Sequence, residues 1–188
     1  MSVLHAELRK LLTLPALRGT ALLTLAVTGL LRYASGSALG YAQAGFLVLG
    51  VLAIASEHQA GGQIRTTLLA VPNRLRLYAA KAVALAAAAV PVAVAAAAVD
   101  PPATAYLVNT TLLAFAVATL VRRAVPGVLV TLGAFFVAGP LLRSRWPELG
   151  AYLPDTAAWA EPRDLTAAAA WTVCLLASAA WSFHRRDP

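Results

Sequence analysis

Charge is what this sequence has least of. Charged residues make up 12% of its 188 positions, against roughly a quarter in soluble domains. Hydrophobic residues make up 60%. A soluble fold of this length must cover its outside with polar groups, and there are too few here, which excludes a soluble enzyme. Cysteine is nearly absent as well. Cys174 stands alone, which excludes an intrachain disulfide, and its place in an apolar run predicts a buried structural thiol.

Lysine is rarer than arginine, and its positions exclude a chemistry. A phosphate-binding loop needs Gly-Lys followed by Ser or Thr, because the lysine reaches the phosphates and the hydroxyl holds magnesium. Lys10 follows Arg9 and Lys81 follows Ala80, so this chain does not hydrolyse ATP by that route. No acid lies well inside an apolar run, and His5, His58 and His184 fall at the edges of such runs. Proton relays place Asp, Glu or His at membrane depth, so direct proton coupling is disfavoured. No His, Asp, Glu or Cys constellation suggests a catalytic site, a cofactor or a metal. The net charge of +7 and the pI near 10.3 raise nucleic-acid binding, but the basic residues form no patch or stripe. They sit between apolar runs, where membrane topology signals belong.

What is present is a series of six apolar stretches, at about 17–33, 38–55, 77–99, 103–121, 124–142 and 165–183. A spanning helix takes about 20 residues. The last four stretches fit, and the first two are short, needing flanking residues such as Thr20, Tyr33 and Tyr41. The expected fold is therefore all-α: one polytopic transmembrane domain over 1–188 with six spans. Runs of alanine such as 86–89 pack closely against neighbours, and base-composition bias explains them equally well. Pro91 and Pro140 predict kinks that neighbouring helices can satisfy.

Six spans put both termini on one side. That side holds Arg9, Lys10, Arg18, Arg65, Arg74, Arg76, Lys81, Arg122, Arg123, Arg185 and Arg186. The other holds Arg32, Arg143, Arg145 and Arg163. The bias places both termini in the cytoplasm. Asp100, Glu148, Asp155, Glu161 and Asp164 fall outside, and Tyr33, Tyr41, Tyr106, Tyr152 and Trp159 suggest an interfacial belt at the outer surface. Near the start, Leu4, Leu8, Leu11 and Leu12 share one helical face, away from Glu7, Arg9 and Lys10. This reads as an amphipathic helix on the inner membrane surface rather than a cleaved signal.

Two connections are longer than a turn requires. The outer one, 143–164, carries Trp146, Pro147, Pro154, Trp159 and Pro162, and suggests short structures dipping into the outer leaflet. The inner one, 56–76, has Ser56 and Gln59 at capping-box spacing, then Gly61-Gly62, then Ile64, Leu68 and Val71 at helical spacing before Pro72. It predicts a short amphipathic helix on the cytoplasmic surface. On periodicity alone, a solvated connector that merely anchors to lipid headgroups fits equally well.

These residues carry a resemblance. Glu57, Gly61, Ile64-Arg65-Thr66-Thr67-Leu68, Pro72, Arg74, Arg76 and Ala79-Ala80-Lys81 resemble the inner loop of ABC-2 permeases, the membrane subunits of one class of ABC exporter. The Glu7-Leu8-Arg9-Lys10-Leu11 start, the Arg185-Arg186-Asp187 tail, the six spans and the long outer loop are also similar. The chain departs from the family in being short, in the brief loop between its first two spans, and in the Gly62-Gln63 spacing.

The resemblance implies that the inner loop is a coupling helix seated in a separate cytoplasmic ABC ATPase, with Glu57, Gly61, Arg65 and Thr66 at the contact. ATP and Mg would belong to that partner, and this chain would carry no cofactor. A second permease subunit, identical or homologous, would complete the exporter in a bacterial plasma (inner) membrane, among membrane lipid and without nucleic acid. Spans two and five would line the path, which points to Gln43, Phe46, Thr131, Phe135 and Phe136. The mostly apolar set suggests a hydrophobic or amphipathic cargo, although packing is the commoner role for any one of them. Gly36 and Gly40 have dimer-type spacing. The alternative reading is a non-transporting membrane anchor or assembly protein that recruits a cytoplasmic partner.

Overall fold

Backbone that meets no water must satisfy its own N–H and C=O groups, and the helix does this within one segment. A computed structural model describes residues 3–35, 38–55, 74–155 and 165–185, and its long elements are all helices. They are α1 (Val3–Thr13), α2 (Pro15–Ser35), α3 (Leu39–Ala55), α4 (Arg74–Ala97), α5 (Pro101–Val121), α6 (Ala124–Arg145) and α7 (Thr166–Arg185). A short 3-10 helix, Pro147–Tyr152, follows α6.

Each of the six apolar stretches lies on a helix of α2 to α7. Among the described residues, α4, α5 and α6 are individually long and apolar enough to cross a bilayer. The pair α1 and α2 meets the same standard only jointly, bent by 64° at its break, which makes a fourth candidate. The apolar helix Leu39–Ala55 and the apolar part of α7, Thr166–Ser182, are shorter. The expectation that the last stretch has full spanning length therefore differs from what is seen.

Local chemistry sets the breaks. Pro15 has no N–H to offer the carbonyl four residues back, so α1 and α2 can hinge around Leu14. Between α4 and α5 the chain reverses within Ala98, Val99 and Asp100. Asp100 precedes Pro101-Pro102 and is forced extended, with φ −79° and ψ 112°. Ala98 and Val99 absorb the turn at φ 52° and 66°, in the left-handed region. Pro91 sits inside α4 without ending it. Pro140 does leave a mark. Its ring crowds the carbonyl of Phe136, and the turn just before it, Ala134–Ala138, widens to a π-helix in which the Gly139 N–H bonds to Ala134 O.

From α3 to α5, helices consecutive in the chain alternate in direction. Tyr78 near the start of α4 stacks on Phe115 near the end of α5, with ring centroids 5.3 Å apart. The pairs Gln43 with Tyr106 and Gly50 with Thr111 advance together, so α3 and α5 run parallel, each opposed to α4. One end of the bundle, here the basal end, carries α1, the end of α3, the start of α4 and the Arg122-Arg123 corner. The distal end carries the Ala98–Asp100 turn and the 3-10 helix.

The core lies between α3 and α5, which pack most extensively, with α4, α6 and α7 around them. Small residues permit it. A Cβ on Gly50 would collide with the Thr111 carbonyl oxygen, and one on Gly45 with the Thr24 side chain. Four buried threonine hydroxyls are satisfied within their own helix: Thr110, Thr111, Thr119 and Thr131 each donate to the carbonyl four residues back, at 2.8–2.9 Å. The outward faces are apolar instead, as at Leu22, Leu23 and Leu30 of α2 and Val125, Leu129 and Leu141 of α6. Such faces are compatible with a multi-pass membrane protein.

Three expectations are corrected. In α1 the buried residues are Glu7 and Leu11, while Leu4 and Leu12 are exposed, because Lys81 meets the Glu7 carboxylate. Cys174 is exposed on α7 rather than buried. Tyr106 is fully buried, whereas Tyr33, Tyr41 and Tyr152 are exposed as an interfacial belt requires.

Candidate functional site

Two places in the bundle bring polar groups together against the apolar trend. The first is at the basal end. Lys81 Nζ lies 3.0 Å from Glu7 Oε1, and both side chains are almost completely shielded. Burying either charge alone would be costly, and pairing offsets part of that cost. The pair pins α1 across the first turns of α4, where Ala79-Ala80-Lys81 lies.

The second is at the distal end. The Tyr106 hydroxyl on α5 donates to Gln43 Oε1 on α3 at 2.9 Å, with both side chains buried. Arg143 near the end of α6 pairs with Asp155, and that ion pair is close enough to act electrostatically on Tyr106. Asp155 is 1% exposed although it lies in a loop. It fits because Gly139 has no side chain: a Cβ there would stand 2.6 Å from Asp155 Oδ2. Asp155 Oδ1 and Arg143 Nε have no partner among the described residues. The 3-10 helix between them is held from the other side, since the Trp171 indole N–H donates to Tyr152 O at 2.8 Å. The described part of the long connection, up to Asp155, thus folds back onto the bundle at its distal end.

Of the residues expected along a path, Gln43 and Phe46 on α3 and Thr131 and Phe135 on α6 are buried, and the two helices pack against each other. The Thr131 hydroxyl is bound to Gly127 O at 2.9 Å and Val128 O at 3.1 Å. Phe136 is not part of this set. It points outward from the π-helical turn and is 40% exposed. Each of the four inward residues is packed against protein, so within a single chain none of them borders open space. Glu57, Gly61, Arg65 and Thr66, with the helix expected around Ile64 to Val71, lie outside the described residues, as do Gly36 and Trp159.

No known protein family, no curated protein and no solved structure matches the chain.

Tyr106, Arg143 and Asp155 escaped the sequence reading for a reason. Tyr106 and Arg143 sit at predicted span ends, where an interfacial aromatic and a topology-setting arginine are ordinary. Asp155 looked like a solvated loop acid. The signal was scarcity: with 8 acids in the whole chain, each acid flanked by Pro and apolar residues is a candidate for a specific partner. Among the described residues, no three His, Cys, Asp or Glu side chains come together as a metal site would require.

Proposed function

We propose that this chain is the membrane subunit of an ABC-2-type exporter. It spans the bilayer six times with both termini in the cytoplasm. It pairs with a second permease subunit and takes its energy from a separate ATPase seated on the inner loop between α3 and α4. The cargo is hydrophobic or amphipathic and moves outward across a bacterial plasma membrane.

The observation that carries the reading is the alternation of the helices. It gathers α1, both ends of the inner connection and the basic residues Arg74, Arg76, Lys81, Arg122 and Arg123 at the basal end. A positive-inside bias then identifies that end with the cytoplasm. A cytoplasmic ATPase acting on 56–73 would pull on α3 and α4 together, and α4 is tied to α1 by Glu7 and Lys81. Gln43 lies at the far end of α3, bonded to Tyr106 of α5, at the distal end where an exit would have to open.

The test is a pull-down of the detergent-solubilised chain with its candidate ATPase, repeated with Glu57→Ala and Arg65→Ala. Binding and stimulated ATP hydrolysis by the unaltered chain, both lost in the variants, support a coupling loop. If no ATPase binds, the chain is a membrane anchor or assembly protein. Competition by small hydrophilic solutes alone would reject the hydrophobic cargo.

A further inference from the structure

The hinge between α1 and α2 leaves a gap. Because α1 turns away by 64° to lie on α4, and α2 leans on α3, the two helices do not close over the bundle. The space between them is a half-open slot of about 100 Å³. Its walls are Leu17 and Ala21 of α2 and Leu85, Ala89 and Val92 of α4, and it reaches inward to Leu49 of α3. The one hydroxyl at its floor, on Thr111, is already bonded to Leu107 O at 2.9 Å. An apolar slot with no free polar group does not hold water, and apolar groups fill it. Its volume suits a few carbons of an acyl chain.

One charge lines this slot. Arg18 is exposed at its mouth, held at the hinge by a hydrogen bond from its Nε to Leu12 O. A guanidinium has five N–H donors, and that bond uses one. The mouth lies at the basal end, which is rich in arginine and lysine. On the topology proposed above, this end meets the inner leaflet, whose anionic lipids collect at basic pockets between spanning helices.

We infer that the α1–α2 hinge is a binding site for one anionic phospholipid, with an acyl chain in the slot between α2 and α4 and its phosphate on Arg18. The lipid completes a surface that the protein leaves unpacked. It also props α1 at its angle, so the site connects inner-leaflet composition to the helix that Glu7 fixes on α4. The inference rests on the membrane topology proposed above but not on the presence of an ATPase.

The experiment places the purified full chain in nanodiscs of phosphatidylcholine containing a minor fraction of phosphatidylglycerol, and measures retained lipid by native mass spectrometry after release. Phosphatidylglycerol carrying a photoreactive group on its acyl chain then maps the site. One retained phosphatidylglycerol per chain and labelled peptides from α2 and α4 are expected. Arg18→Gln weakens retention roughly fivefold, by about one arginine's contribution at an anionic surface, and leaves the acyl labelling of α2 and α4 in place. Ala88→Phe, at a half-buried wall position, fills the slot and removes that labelling. Thermal unfolding and a monodisperse elution profile confirm that each variant is folded, and Ala21→Leu fills the slot from the other wall should Ala88→Phe not fold. Equal retention of both lipids, or labelling unchanged in a folded slot-filled variant, overturns the proposal. ATPase pull-down with the same variants reads the transporter proposal separately, since lipid retention is measured without any partner.

Discussion

Glu7 and Lys81 are 74 residues apart in the chain and 3.0 Å apart in the fold. The contact makes α1 part of the bundle rather than a float on its surface. It also gives a physical role to a lysine that the sequence presents merely as the start of a span. Breaking one partner of a buried ion pair costs about 3–5 kcal/mol, while replacing both with apolar residues of similar size is often close to neutral. Glu7→Met and Lys81→Met are each expected to lower the thermal midpoint sharply, and the double variant to recover most of the loss. A double-mutant cycle by thermal unfolding in detergent checks this. Additive effects of the two single changes would mean that the side chains do not act as a pair.

Gly50 is where α3 and α5 touch backbone to backbone. Gly50→Val is expected to lose folded yield, because the new side chain meets a carbonyl oxygen and neither rigid helix can give way. Gly133 on α6 has open space where its Cβ would go. Gly133→Ala is expected to gain about 0.5–1 kcal/mol from helix propensity alone. Fluorescence-detected size exclusion of the two variants separates the cases, and similar behaviour in both would contradict the close approach at Gly50.

Val99 holds a left-handed conformation that a β-branched residue adopts only under constraint, at φ 66°. It ends α4 there, with the Val99 N–H reaching back to Val94 O at 3.0 Å. Val99→Gly is expected to raise stability by about 1 kcal/mol, the approximate penalty of a left-handed residue with a Cβ. An unchanged or lower unfolding midpoint would show that the Val99 side chain contributes more than its strain costs.

Asp155 closes the distal loop over Gly139 through Arg143. Asp155→Asn removes the charge, and the loss is expected to be about 1–3 kcal/mol, the range for an unsatisfied buried polar group. The readout is amide hydrogen exchange in 146–155, which should accelerate while α3 and α5 stay protected. Gly139→Ala is expected to have the same effect from the opposite side. Unaltered exchange in both variants would mean that the loop is held elsewhere.

The helices were legible in the sequence because a long apolar run away from water needs an internally bonded backbone, which a helix supplies. Boundaries moved where local chemistry intervened, as when Arg74 through Arg76 joined α4 and Val99 left it. The polar pairs were not legible. Glu7 joins an expected solvent face to a span, Asp155 turns inward from a loop, and Gln43 meets Tyr106 across 63 positions. Each depends on a tertiary approach that no periodicity encodes. The candidate path set divided for a related reason: Phe135 and Phe136 are adjacent in sequence and so about 100° apart around one helix, which buries the first and leaves the second exposed.

The π-helical turn in α6 resets the phase of everything beyond it. A turn carrying one residue more than α-helical pitch rotates the remainder of the helix by about one residue, or roughly 100°. Gly139, Arg143 and the contact with Asp155 all lie on the rotated side. A straight helix of the same sequence would aim Arg143 at a different neighbour and leave the loop without its anchor. Conversion between the two pitches, with Pro140 at the boundary, would therefore turn the distal half of α6 like a key while its basal half stayed packed against Val51 and Ala118 at Gly127.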